Sequence, residues 1–235
     1  MTIESTNDQL PTTPAITYSE CYRLPFLSLF HADCMKIMKQ YPDKYFDLAI
    51  VDPPYGINMS NYKRNGNIKF DMNKSWDSLI PTEQYFVELN RVSKNQIIWG
   101  GNYFTDFLPP TKGWIFWNKK QNGNLQIGEM AYTSMDRMKY FERIWQLDRN
   151  WQEEKIHPTE KPKEVYSFCL KEFATEGMKL LDTHFGSGSI ALAVDKANRL
   201  DKMNLHLTAF EIDKEYIDKA IKRISESIKQ GTLSF

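Results

Sequence analysis

The 235-residue sequence predicts an α/β protein: a single doubly wound, mostly parallel sheet with helices on both faces and an antiparallel edge. Three observations carry this expectation. From about Cys21 onward, short apolar runs alternate with segments of helical period. The run Leu48-Ala49-Ile50-Val51 is unbroken, as in a strand covered on both faces. Between Asn102 and Glu154 the pattern becomes aromatic and roughly alternating, which fits antiparallel strands joined by turns.

Taken in order, "LSLFHAD" reads as a strand, "MKIMKQY" as a short helix and "FDLAIVD" as a second strand. The segment "PTEQYFVELNRVSK" reads as a helix and "QIIWGG" as a strand. "GWIFWNKK", "MAYTSM" and "MKYFERIWQ" form the edge. After "HPTEKP" the alternation returns, with "KEVYSFCLKEFATE" as helix, "MKLLDT" as strand, "SIALAVDKANR" as helix and "NLHLTAFE" as strand. A last helix places Ile217, Ala220, Ile221, Ile224 and Ile228 on one face. Residues 1–20, rich in Thr, Pro and small polar residues, are expected to be a flexible tail, and 21–235 one domain.

Thirty Lys and Arg balance thirty Asp and Glu, so the chain is no polycation and any contact with nucleic acid must be local. Three widely spaced cysteines argue against a disulfide framework or a zinc site, and no metal is expected. No apolar run has the length of a membrane span, and the polar, acidic N-terminus does not resemble a signal peptide; a cytoplasmic protein is expected.

Two motifs carry chemistry. The first is the turn after "KLLDT": Asp182, Thr183, His184, Phe185, Gly186, Ser187 and Gly188, followed by a helix. Glycines there allow a tight turn and bring a helix N-terminus close to a ligand. The next strand ends in Glu211, placed to accept hydrogen bonds from ribose hydroxyls. The pair fits an adenosine-containing cofactor, nicotinamide cofactors included, and glycines used only for packing are the plain alternative. Asp182 favours S-adenosylmethionine, because a carboxylate at the strand end can hold an ammonium and would repel a pyrophosphate.

The second motif is Asp52-Pro53-Pro54-Tyr55, which closes the run Phe46–Val51. The prolines fix the backbone and offer no N–H, so the Asp52 carboxylate and the Pro53 carbonyl are expected to stand free as two acceptors for one NH₂ group. Holding both hydrogens favours a pyramidal nitrogen whose lone pair can attack an electrophile. Tyr55 offers a face for a planar base. A simple strand stop is the competing explanation for these four residues.

With both motifs in one chain, the sequence resembles the amino-methyltransferases of DNA in the permuted motif order called the β class. Asp52 to Tyr55, then His157 to Pro162, then Asp182 to Gly188 follow that order, and the resemblance runs from about Leu27 onward. It implies a Rossmann-like methyltransferase fold, S-adenosylmethionine as methyl donor and the exocyclic amine of a DNA base as acceptor. It also implies that Asp52, Pro53, Pro54 and Tyr55 are catalytic. Asp33, Thr159, Lys161, Asp182, His184, Phe185, Gly186, Ser187, Gly188 and Glu211 would meet the cofactor. Asp33 is equally well explained as a helix N-cap. Thr183-His184 stands where the family has proline followed by phenylalanine, so the contact of His184 departs from the pattern.

Asp at the first position of the tetrapeptide resembles the adenine-modifying members; amino-methylation of cytosine or of RNA, and a nicotinamide-dependent oxidoreductase, are the alternatives. A base in a duplex would have to be flipped out to react. Lys63, Arg64, Lys69 and Lys74, in the loop after the tetrapeptide, are expected to grip phosphates, with Lys119, Lys120, Arg137 and Lys139 as further candidates. The stretch from Asn102 to Glu154 leaves little room for a separate target-recognition domain, and the resemblance makes a homodimer plausible. Neutralising Lys63 and Arg64 together is expected to weaken DNA binding and flatten its salt dependence by roughly two charge contacts; titrations at several salt concentrations check this, and an unchanged slope counts against the assignment.

Overall fold

A computed structural model of the chain describes residues 20–57, 78–120, 127–143 and 155–232. The expected tail, up to residue 19, and the basic positions Lys63, Arg64, Lys69 and Lys74 lie outside the described residues. Among the described residues nine strands occur: β1 (Cys21–Leu24), β2 (Leu27–His31), β3 (Phe46–Val51), β4 (Ser93–Trp99), β5 (Gly113–Asn118), β6 (Gly128–Thr133), β7 (Lys139–Glu142), β8 (Lys179–Asp182) and β9 (His206–Glu211). They form one sheet in the order β1-β2-β9-β8-β3-β4-β6-β5-β7. The central run β2-β9-β8-β3-β4 is parallel throughout.

The helices are α1 (Cys34–Met38), α2 (Glu83–Val92), α3 (Lys163–Phe173), α4 (Ser189–Asp201) and α5 (Lys214–Thr232). Side-chain alternation along the parallel strands divides the core between the two faces of the sheet. Leu48, Ile50, Ile97, Leu207 and Ala209 pack with α3, α4 and α5. Ala49, Val51, Ile98 and Phe210 pack with α1 and α2. The connection from β8 through α4 to β9 therefore covers one face, and that from β3 through α2 to β4 covers the other. Since β8 and β3 are neighbours, the connections diverge between them and open a crevice at their carboxyl ends, where ligands bind in doubly wound sheets.

The structure differs locally from the sequence expectation. Ser93 and Lys94 belong to β4 and not to the preceding helix: the Ser93 hydroxyl donates to the Leu89 carbonyl at 2.5 Å, and its backbone at φ −120°, ψ 144° enters the sheet opposite Phe46. Strand β4 stops at Trp99, because Gly100 turns into the left-handed region at φ 70° and Gly101–Tyr103 form a 3-10 turn. At the far edge β6 is antiparallel to both β4 and β5, whereas β7 runs parallel to β5. The opposite edge carries a further antiparallel strand, β1, that periodicity alone did not mark. Among the described residues no helix is long and apolar enough to cross a membrane.

Candidate active site

Four acids sit at the carboxyl ends of adjacent parallel strands: Asp33 after β2, Glu211 at the end of β9, Asp182 at the end of β8 and Asp52 after β3. The topology thus brings both motifs to one crevice although they lie more than a hundred residues apart in the chain.

On the glycine side, Gly186 and Gly188 adopt φ of 51° and 71°, so the turn uses the conformational freedom that glycine provides. The Glu211 carboxylate fastens it. One oxygen accepts the Gly186 N–H at 2.8 Å, and the other accepts those of Ile212 and Asp213 at 2.9 Å. Three donors leave a carboxylate with acceptor capacity for a ribose hydroxyl. Burial raises the affinity of Glu211 for its proton. Asp182 is buried more completely, and its carboxyl is pushed up to about 8 by burial, with Asp52 adding to the rise and the His184 N–H, 3.0 Å from its Oδ1, opposing it.

The remaining cofactor candidates divide. Asp33 caps α1, its carboxylate accepting the Met35 N–H at 2.9 Å. Ser187 and Ser189 join hydroxyls at 3.1 Å at the start of α4. The Phe185 side chain lies in the core, where its ring is 3.0 Å from the position a Cβ on Gly188 would take, so its side chain serves packing. The His184 ring turns toward α2. Its Nδ1 lies 2.9 Å from the Thr183 hydroxyl and its ring meets Tyr85 edge-on at 5.5 Å; burial lowers its pKa to about 4, so it is neutral at working pH.

"HPTEKP" spans the crevice. The His157 imidazole lies over Gly186, about 3.6 Å from where a Cβ would stand, and packs on Tyr216 of α5. Thr159 bonds back to His157, its hydroxyl 3.2 Å from Nδ1. Glu160, with a side chain 0% exposed, pairs with Arg223 of α5 at 2.7 Å and accepts the Ile156 N–H at 3.0 Å. Lys161, expected to meet the cofactor, donates its ammonium to both Asp52 oxygens at 2.6 Å and to the Tyr55 hydroxyl at 2.9 Å.

That contact also corrects the expectation of a free Asp52 carboxylate. Asp52 accepts from Lys161 through both oxygens, and Oδ1 takes the Tyr55 hydroxyl hydrogen as well, at 2.6 Å. The sequence argument counted only backbone donors near the prolines and overlooked a lysine arriving from 109 residues away. The Tyr55 ring stacks on Tyr103 with centroids 5.0 Å apart and planes 15° apart. Its other contacts explain Gly100, where a Cβ would stand 2.2 Å from the ring.

Glu129 of β6 was not among the residues that sequence reasoning singled out. Its Oε1 contacts Lys119, and its Oε2 faces Lys161 at 3.0 Å. Burial opposes its ionisation, but the two ammonium groups outweigh burial and hold its pKa down to about 2. An acid inside the otherwise aromatic and apolar strand "GEMAYT" is the one signal that marked it. The further DNA-contact candidates are engaged within the molecule. Lys119 pairs with Glu129, Lys120 with Glu142 at 2.7 Å and Lys139 with Glu172 at 2.6 Å, while Arg137 donates to the Glu172 carbonyl at 3.1 Å.

The chain is similar in sequence and fold to known proteins. A family model described as DNA methylase, N6_N4_Mtase, matches residues 90–222. The Type II methyltransferase M.HpaI of Haemophilus parainfluenzae is 22% identical over 83% of this chain and 73% of its own. Among solved structures, the PvuII DNA methyltransferase (cytosine-N4-specific) superposes with a TM-score of 0.54 at 11% identity, covering 94% of this chain and 96% of that one. M1.HpyAVI, solved as a complex with SAM, gives a TM-score of 0.54 at 17% identity over 84% of this chain and 98% of its own. These structural likenesses support the fold.

Proposed function

The chain belongs to the N6_N4_Mtase family of DNA methylases, and on that premise we propose that it transfers a methyl group from S-adenosylmethionine to the exocyclic amine of adenine in DNA. The observation that carries this reading is the placement of Asp52 beside the Asp182–Gly188 turn at the crevice between β8 and β3. Asp at the head of the tetrapeptide favours adenine. The fold neighbours include a cytosine-N4-specific enzyme, so cytosine is the second reading.

The residues fit the cofactor. Asp182 is a buried carboxyl with a high proton affinity, the condition in which a cation is the best available partner. Glu211 retains acceptor capacity, and the α4 N-terminus follows the turn. S-adenosylmethionine supplies an electrophilic methyl carbon, whose bond to sulfur breaks as the amine nitrogen bonds to it. Asp52 and the Pro53 carbonyl hold the two amine hydrogens and point the nitrogen lone pair away from the ring plane. The positive charge that develops on nitrogen faces a carboxylate. The methylated nitrogen is acidic enough to release its proton without a dedicated base. Tyr55 supplies the stacking surface once its ring parts from Tyr103, and the base reaches it by leaving the duplex.

The test is transfer of labelled methyl to a panel of DNA, RNA and protein substrates, followed by nucleoside digestion. N6-methyladenine in DNA is expected. N4-methylcytosine moves the assignment to the second reading, and no transfer to DNA overturns both.

Asp182 gives this reading a pH signature. Its carboxyl titrates near 8 in the fold against 3.8 ordinarily, so the fold favours the protonated form. That contribution to stability is present at low pH and is lost as pH rises through about 8. Binding the cofactor's ammonium requires the carboxylate, so at pH 7 binding should release close to one proton, and affinity should rise by up to about tenfold between pH 6 and 7. Calorimetry in buffers of different ionisation enthalpy measures the proton count. Asp182→Asn should bring it to zero and flatten the pH dependence; an unchanged proton count in that variant excludes Asp182 as the source.

A further inference from the structure

A bond count around Lys161 shows an acceptor site that the protein itself fills. An ammonium has three hydrogens. The Lys161 ammonium meets both oxygens of Asp52 at 2.6 Å and the Tyr55 hydroxyl at 2.9 Å. Its side chain is 4% exposed and that of Asp52 16%, so solvent hardly competes. A fourth acceptor, Glu129 Oε2, lies 3.0 Å from the same nitrogen. It is buried and within hydrogen-bonding distance of the ammonium. Lys161 thus sits between two carboxylates, nearer to Asp52 at 2.6 Å than to Glu129 at 3.0 Å.

We propose that Lys161 holds the amine-acceptor site in place of the substrate, and that Glu129 is the positioning residue that receives its ammonium when the target amine arrives. This inference rests on the methyltransferase reading above and adds to it a required movement of charge. An incoming NH₂ group needs at least one Asp52 oxygen, and the Lys161 ammonium stands against both, with the Tyr55 hydroxyl on Oδ1 as well. If Lys161 kept both, its positive charge would face the nitrogen on which positive charge develops. Shifting the ammonium from Asp52 toward Glu129 Oε2 frees the oxygen and keeps the lysine paired with a buried anion. The distances ask for a rotation about the side-chain end, since the nitrogen is within hydrogen-bonding reach of both anions already.

Both carboxylates act on the lysine. Burial disfavours its charged form, but Asp52 and Glu129 together outweigh burial and keep it protonated. Lys119, on the other oxygen of Glu129, balances the second acid, so two cations and two anions share this part of the site. The Lys161 ammonium also lies 5.3 Å from the Tyr55 ring centroid and 5.5 Å from that of Trp99. Those aromatic faces line its path without supplying an anion. Only Glu129 offers an anionic destination among the described partners of this lysine.

The test separates the two carboxylates by epistasis, with wild-type methyl transfer to DNA as its reference. Glu129→Gln removes the destination and leaves Lys161 on Asp52; kcat is expected to fall at least about thirtyfold with cofactor Kd within about twofold. Adding Lys161→Met removes the occupant, so Glu129→Gln/Lys161→Met should recover at least about fivefold over Glu129→Gln alone. Glu129→Asp, which keeps the anion, should retain more than about a third of the wild-type kcat. A double variant no faster than Glu129→Gln, a Glu129→Gln enzyme with wild-type kcat, or a loss of cofactor affinity that parallels the loss of kcat overturns the proposal. If Glu129→Gln does not fold, Lys161→Met alone decides. Unchanged cofactor Kd together with lowered DNA-dependent kcat supports placement on the acceptor side, and a tenfold weaker Kd returns Lys161 to the cofactor. Absence of transfer by the wild-type enzyme on every nucleic acid is the separate failure of the underlying reading.

Discussion

Asp52→Ala is expected to lower methyl transfer by about 10²–10³-fold or more while cofactor affinity stays within about twofold, because it removes acceptors needed where charge develops in the transition state. The fold should tolerate the change. Lys161 keeps the Tyr55 hydroxyl at 2.9 Å and gains full use of Glu129 at 3.0 Å, so its buried charge is not orphaned. Asp52→Asn is the sharper companion. It retains one oxygen but turns an NH₂ toward an incoming NH₂, so it should recover little activity despite near-identical volume. Single-turnover transfer of labelled methyl, with calorimetric cofactor binding on the same preparations, measures both. An alanine variant that transfers methyl at close to the wild-type rate removes Asp52 from the chemistry, and loss of cofactor binding in parallel would mean that the crevice had collapsed.

The same residues show how far the sequence could be read. The parallel core was legible because strands covered on both faces must be continuously apolar, as Leu48-Ala49-Ile50-Val51 is, and because helix periods intervene between them. Both motifs were legible because glycine and proline impose backbone geometry locally, and the left-handed φ of Gly186 and Gly188 is what such a turn requires. What stayed hidden depends on side chains meeting across the sheet. Nothing near Lys161 in sequence announces Asp52 as its partner, and a segment tied by resemblance to the cofactor also reaches Asp52. Glu129 gave only the weak signal of an acid in an apolar strand. The parallel pairing of β7 with β5 was equally hidden, because alternation specifies that a strand has two faces and leaves its direction open.

The placement of "HPTEKP" between the two halves of the crevice makes one distant ion pair important to both. His157 covers Gly186 at the glycine turn and Lys161 holds Asp52 at the end of β3, with Glu160 between them as the anchor. Arg223→Met is therefore expected to weaken the protein in a specific way. It leaves the Glu160 carboxylate, 0% exposed, with the Ile156 N–H as its remaining described partner. Breaking a buried pair by removing one member costs about 3–5 kcal/mol. Arg223 is 21% exposed, so the low end of that range applies, and for a chain of this length about 3 kcal/mol corresponds to a fall in Tm of about 6–12 °C. Removing the stranded charge as well should reverse most of the loss, so Glu160→Gln/Arg223→Met should melt above Arg223→Met. At a temperature where the variant is still folded, loosening the segment should weaken cofactor binding and slow transfer together, by about tenfold each, which distinguishes it from Asp52→Ala, where transfer alone is lost. Thermal unfolding, cofactor titration and single-turnover transfer on the two variants measure the three effects. A single variant as stable as the double one, or cofactor affinity untouched in Arg223→Met, would show that α5 does not hold the segment over the site.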